Sequence, residues 1–172
     1  ARYLEVAAGL LDDPDTGIRL RVLPALIGAG APLQRAQAAA QLRALLNAPD
    51  AHVRARALQV VGQARALGFL IELVRALTDP QDEVRLAAAL ATEALAHEEA
   101  TAGKRDMLLA LALLLMEDPV ERSRVAAITV LDRLSAGGGP GARAAGESVL
   151  AGLADPSTEV RERSVEVAVR AG

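Results

Sequence analysis

A proline-centred phrase recurs five times along the 172 residues, and its spacing dictates the architecture. The copies are Asp13-Pro14 with Ile18-Arg19, Pro49 with Val53-Arg54, Asp79-Pro80 with Val84-Arg85, Asp118-Pro119 with Ser123-Arg124, and Asp155-Pro156 with Val160-Arg161. Successive prolines stand 35, 31, 39 and 37 residues apart, the period of a stacked array of helical hairpins. Proline lacks an amide proton and fixes φ, so it ends one helix and sets a tight corner before the next. Asp15, Asp50 and Ser157 are placed to accept hydrogen bonds from the unpaired amides that open each second helix.

Beyond each proline the apolar residues follow a helical period. Val84, Ala87, Ala88, Ala91 and Leu95 form one stripe; Ala126, Ala127, Val130, Leu131 and Leu134 repeat it after Ser123. Val53, Ala57, Val60, Val61 and Ala64 give the same register in the second unit. First helices are expected at 3–12, 35–47, 68–78, 104–117 and 143–154, and second helices at 16–28, 51–66, 82–97, 120–135 and 158–170. The predicted fold is all-α, a solenoid of about five hairpins forming one domain over 1–172, with units 3–29, 32–66, 68–98, 103–136 and 141–171.

Composition narrows the function. The chain is 52% hydrophobic yet has one Phe, one Tyr and no Trp, so alanine and leucine supply the packing and the helices must lie close. A net charge of -3 gives no global attraction to nucleic acid or anionic lipid. The absence of cysteine excludes disulfides, thiolate metal sites and cysteine nucleophiles. The apolar run Met107 to Met116 is ten residues long, about half of the ~20 a membrane span needs, and reads as one nearly buried helix. His52 and His97 lack HExxH spacing and a nucleophile framework. Glu93, one turn before His97, is read as surface decoration. Gly137 to Gly141 reads as a flexible linker and His97 to Gly103 as a solvent-facing segment. No catalytic, cofactor or metal site is expected. The start at Ala1, without an initiator Met or a signal peptide, suggests a cytoplasmic module of a larger or membrane-associated protein.

The Asp-Pro corner followed six residues after the aspartate by arginine resembles the HEAT-repeat family, and the arginine- and alanine-rich, lysine-poor composition suits a bacterial member. Two units depart from the pattern: Ala48 replaces the aspartate in unit two, where Asp50 offers a local substitute, and Ser123 occupies the apolar position in unit four. The resemblance implies a right-handed α-α superhelix with second helices lining the concave side. It also implies a structural ladder of Asp13, Arg19, Arg54, Asp79, Arg85, Asp118, Arg124, Asp155 and Arg161. A basic stripe for phosphates or acidic peptides is the alternative reading of those arginines. The expected function is non-catalytic protein recognition, by a partner protein or adjacent domains, on the curved surface through Arg21, Arg56, Gln59, Gln63, Arg65, Glu93 and Arg133. An exposed apolar patch on an end unit would instead mark a surface where further repeats or another domain dock. HEAT-like DNA glycosylases and bilin lyases are the enzymatic alternatives. The former need stacking aromatics and a basic groove, and only Tyr3 and Phe69 are aromatic here.

Overall fold

Ten α-helices, counted among the described residues, pair into five hairpins in this computed structural model, which describes residues 2–97, 102–136, 138 and 141–171. The first helices are α1 (Arg2–Gly9), α3 (Pro32–Leu46), α5 (Leu70–Ala76), α7 (Ala102–Leu115) and α9 (Ala142–Ala151). The second helices are α2 (Thr16–Ala29), α4 (Ala51–Gln63), α6 (Asp82–Leu95), α8 (Glu121–Ala136) and α10 (Thr158–Ala171). Single 3-10 turns at Leu10–Asp12, Leu67–Phe69 and Gly152–Ala154 extend three of the first helices. Every proline of the recurring phrase lies in a corner between helices. The linker glycines Gly137 and Gly139, with Pro140, and most of the segment between His97 and Gly103 lie outside the described residues.

Local chemistry sets the boundaries. Asp15 and Asp50 cap α2 and α4 by accepting the Gly17 and His52 amides at 2.6 and 2.9 Å. At four corners the aspartate before proline accepts the amide two residues on: Asp15, Gln81, Val120 and Ser157 donate at 2.8, 3.0, 2.8 and 2.8 Å. Helix α3 starts three residues before the expected position, because Pro32 suits a first helical turn and Gln34 Oε1 accepts the Ala31 amide at 2.9 Å. Helix α4 stops at Gln63, short of the expected 66. There Arg65 turns left-handed at φ 48°, while its amide donates to Gly62 and the Ala66 amide to Val61, each at 3.1 Å. This is a Schellman ending with arginine in the place that glycine favours.

The two helical layers differ in spacing. Each second helix packs directly on the next, α2 on α4, α4 on α6, α6 on α8 and α8 on α10. A Cβ on Gly62 would lie 3.2 Å from Ala91 Cα, so the α4–α6 approach depends on small side chains. Between first helices, grooves open instead: about 390 Å³ between α1 and α3, 310 Å³ at the α3–α5 corner end, and 500 Å³ between α7 and α9. A stack that is tight on one side and gapped on the other bends around the tight side. The second helices therefore form the inner layer.

Leu23, Leu42, Leu58, Leu73, Leu95, Leu111 and Leu131 belong to one continuous buried strip between the layers. Helix α7 corrects the sequence reading: Leu108, Leu111, Ala112 and Leu115 are buried, but Leu113 and Leu114 face outward. Its place in the gapped outer layer leaves one side uncovered. Among the described residues no helix is long and apolar enough to cross a membrane.

Candidate functional site

The recurring arginines reach across unit boundaries. Arg54 Nε and Nη2 donate to both carboxylate oxygens of Asp79 at 2.8 and 2.9 Å, and Arg124 grips Asp155 in the same way at 2.8 and 3.0 Å. Arg85 Nε reaches Asp118 at 2.9 Å while its Nη2 turns to Asp82 at 2.5 Å. In each case Nη1 donates to the carbonyl of the residue before the unit's own proline: Ala48, Asp79 and Asp118 at 2.9, 3.0 and 2.8 Å. One planar side chain thus fastens its own corner and clamps the next unit's corner.

These pairs are mostly shielded from solvent, with arginine side chains 16%, 12% and 12% exposed and their aspartates 12%, 6% and 7%. Burial by itself pushes Asp79 up, but hydrogen bonds from Arg54 and the Gln81 amide, with the charges of Arg54 and Arg85, outweigh it and hold its carboxyl below the usual range. The Arg124 hydrogen bond does the same for Asp155 against the cost of burial. The charges of Arg54, Arg85 and Arg124 are thus neutralised inside the stack, so these three do not present a basic stripe to phosphates.

The ladder stops at both ends. Arg19 donates to the Asp13 and Pro14 carbonyls at 2.6 and 3.3 Å and to Thr16 Oγ1 at 2.8 Å. Its register partner is Ala48, which has no carboxylate. Asp50 does not substitute, since its side chain caps α4. Arg161 binds the Asp155 and Pro156 carbonyls at 2.7 and 2.9 Å and Thr158 Oγ1 at 3.0 Å. Sequence reasoning missed the residue three before Arg19, Arg85 and Arg161, where Thr16, Asp82 and Thr158 accept from the guanidinium. The signal was present in that column of the repeat.

The expected partner-contacting residues mostly fall on the inner layer. His52, Arg56, Gln59 and Gln63 follow one another along the open face of α4, with Arg56 half-buried and the others exposed. Arg21 on α2 and Arg133 on α8 are exposed, Glu93 on α6 is half-buried, and Arg65 stands two residues past the end of α4. Missed by the sequence reading is Leu90, 42% exposed, at the α6 position that corresponds to Gln59. The inner surface carries an apolar point between polar neighbours. Toward the C-terminal end charges are already engaged: Arg163 pairs with Glu166 at 2.9 Å and Arg170 with Asp132 at 2.7 Å.

Other candidate chemistry stays scattered. His52 Nδ1 lies 3.8 Å from Glu83 with both side chains exposed. His97 is exposed just beyond α6, and among the described residues no ion pair joins it to Glu93. On the rim of the last junction Glu121 accepts the Ser157 hydroxyl. That bond lowers the Glu121 carboxyl, while the neighbouring Glu121 raises that of Glu159. Among the described residues no group of three or more His, Cys, Asp or Glu could hold a metal ion.

The architecture is that of a HEAT- and armadillo-like α-solenoid, and solved structures share it. The chain superposes on Cex1p with a TM-score of 0.76 at 18% identity, covering 98% of this chain and 35% of that one. A designed armadillo repeat protein matches at TM-score 0.66 and 22% identity, over 98% of this chain and 81% of the other. A chain of the CpcE–CpcF complex of phycocyanin lyase from Nostoc matches at TM-score 0.65 and 20% identity, over 97% and 98%. The sequence matches no protein-family model, and no curated protein matches it.

Proposed function

We propose that this solenoid is a non-catalytic scaffold that binds a segment of another protein, or of a neighbouring domain, on its inner surface. The observation that carries the reading is the unbroken open face of α4, with His52, Arg56, Gln59 and Gln63 one helical turn apart. Leu90 beside it supplies apolar contact. Arg21, Arg65, Glu93 and Arg133 extend the surface along and across the array. Amides and mixed charges around an exposed leucine suit a mixed-polarity polypeptide better than a nucleic acid, which rewards positive potential and stacking rings. Arg65 supports a role for its side chain, because a non-glycine residue at φ 48° bears backbone strain. Armadillo proteins designed for modular peptide recognition share the fold.

A photo-cross-linking amino acid at Gln59 or Arg133, compared with one at Gln37 on the outer face of α3, tests this in the native host. Inner positions should capture a protein that the outer position does not, and Leu90→Glu should abolish capture. Equal labelling from both faces overturns the reading. The length agreement with a phycocyanin lyase chain, 98% covered, supports a second reading as a bilin-handling protein. Mixing the chain with a free bilin would then shift the pigment's absorption.

A further inference from the structure

We infer that the far face of the last hairpin is a docking site for one more helical hairpin whose corner presents an aspartate. The inference stands apart from the inner surface and rests on comparing equivalent positions. Five residues after the position that opens each second helix's stripe (Ile18, Val53, Val84, Ser123 and Val160) stand Leu23, Leu58, Ala89, Ile128 and Val165. The first four are 0%, 1%, 0% and 0% exposed, whereas Val165 is 49% exposed. Four residues further, Val169 is 75% exposed, at the position where Gly62 of α4 is packed against Ala91 of α6. On the first helix, Leu153 is 39% exposed while its counterparts Leu46, Leu77 and Met116 pack against the core. The positions that each following unit covers elsewhere in the array are here apolar and open.

Charge identifies what would cover them. Arg161 has made every bond its counterparts make within their own unit, through Nη1 to the Asp155 and Pro156 carbonyls and Nη2 to Thr158. Among the described residues it meets no carboxylate, whereas Arg54, Arg85 and Arg124 each find the aspartate of the next corner. A half-buried guanidinium with its Nε edge open, flanked by Val165 and Val169, is the complement of an aspartate-bearing corner with a small apolar helix behind it. Three internal junctions serve as templates for the geometry.

The test appends a second copy of residues 141–171 to the full chain, joined by the Gly137–Pro140 sequence, and follows thermal unfolding. A single transition with Tm raised by about 5 °C is expected. Arg161→Gln, or asparagine in place of the appended copy's corner aspartate, should each remove about half of that rise, and both together no more than either alone. An appended unit that melts separately, or a rise indifferent to both changes, overturns the proposal. Sedimentation equilibrium of the unextended chain provides the second arm, with a monomer expected throughout the micromolar range. Head-to-tail oligomers that persist in both Arg161→Gln and Asp13→Asn would also overturn it, because the exposed Tyr3 and Val6 of α1 would then cover the face without an arginine–aspartate pairing.

Discussion

The junction between units one and two and the junction between units four and five are built on one plan, and only the second has a carboxylate facing its arginine. At the latter, Arg124 spans from the Asp118 carbonyl to both oxygens of Asp155. At the former, Arg19 makes the same carbonyl contact with Asp13, but the facing position is Ala48. Both arginines hold the carbonyl of their own corner through Nη1. The within-unit bonds therefore suffice to shape a corner, and the aspartate's separate contribution is to couple neighbouring corners. In a stacked array that coupling, rather than the folding of any one hairpin, decides how cooperatively the whole unfolds.

The largest expected effect comes from removing the arginine at each junction. Arg124→Gln leaves Asp155 shielded and unpaired, and loss of one partner of a buried pair costs about 3 kcal/mol or more. Arg19→Gln forfeits only carbonyl and hydroxyl contacts, on the order of 1 kcal/mol. Urea unfolding of the two variants measures the difference directly. Equal losses would show that coupling does not depend on the carboxylate.

Acid should expose the same contrast. Asp79 and Asp155 are held below the ordinary carboxylate range in the folded chain. Between the unfolded value, about 3.9, and the lower folded values, the unfolded chain binds more protons than the folded one. Their stabilisation is thus fully present above that window and is lost as pH falls through it. Melting curves from pH 6 down to pH 2.5 should show the wild type losing stability below about pH 4. Arg124→Gln should lose less over the same interval, having already forfeited the pairing.

Much of this was legible in the sequence, because the repeat averages out local ambiguity. One register of Val, Ala and Leu after the prolines located the second helices, and the resemblance to HEAT repeats, carried by the Asp-to-Arg spacing of six residues, implied the ladder. The sequence did not reveal that Arg54, Arg85 and Arg124 each join two units while Arg19 and Arg161 hold only their own corners. That depends on the rise from corner to corner, which no local pattern encodes. It also overextended α4, whose end is set by Arg65 adopting φ 48°, a conformation that side-chain statistics assign to glycine. The candidate inner surface was legible as polar residues on second helices. Leu90 escaped notice because it lies off the apolar stripe of α6, at the exposed position that Gln59 holds in α4, where a search for polar contact residues passes over a leucine.

Restoring the missing carboxylate should strengthen the weak junction. Ala48→Asp places an acceptor opposite Arg19 and, as at Asp79, offers an oxygen to the amide two residues on, here that of Asp50. Arg19 is already half-buried, so its desolvation is largely met. A gain of about 1 kcal/mol is expected. In a double-mutant cycle the gain should vanish in the Arg19→Gln background; persistence there would assign it to the corner turn alone.

The smallest effect concerns the other departure from the pattern. Ser123 is fully buried, and among the described residues its hydroxyl finds no hydrogen-bond partner, where Val53, Val84 and Val160 stand in other units. Ser164 is equally buried, but its hydroxyl donates to the Val160 carbonyl at 2.9 Å. Removing a hydroxyl that has no partner relieves a desolvation cost, whereas removing a satisfied one roughly breaks even. Ser123→Ala should therefore raise stability by about half a kcal/mol, while Ser164→Ala changes it little. Paired thermal melts decide the matter. A gain at Ser164 matching that at Ser123 would trace the effect to alanine's helix propensity instead of the stranded oxygen.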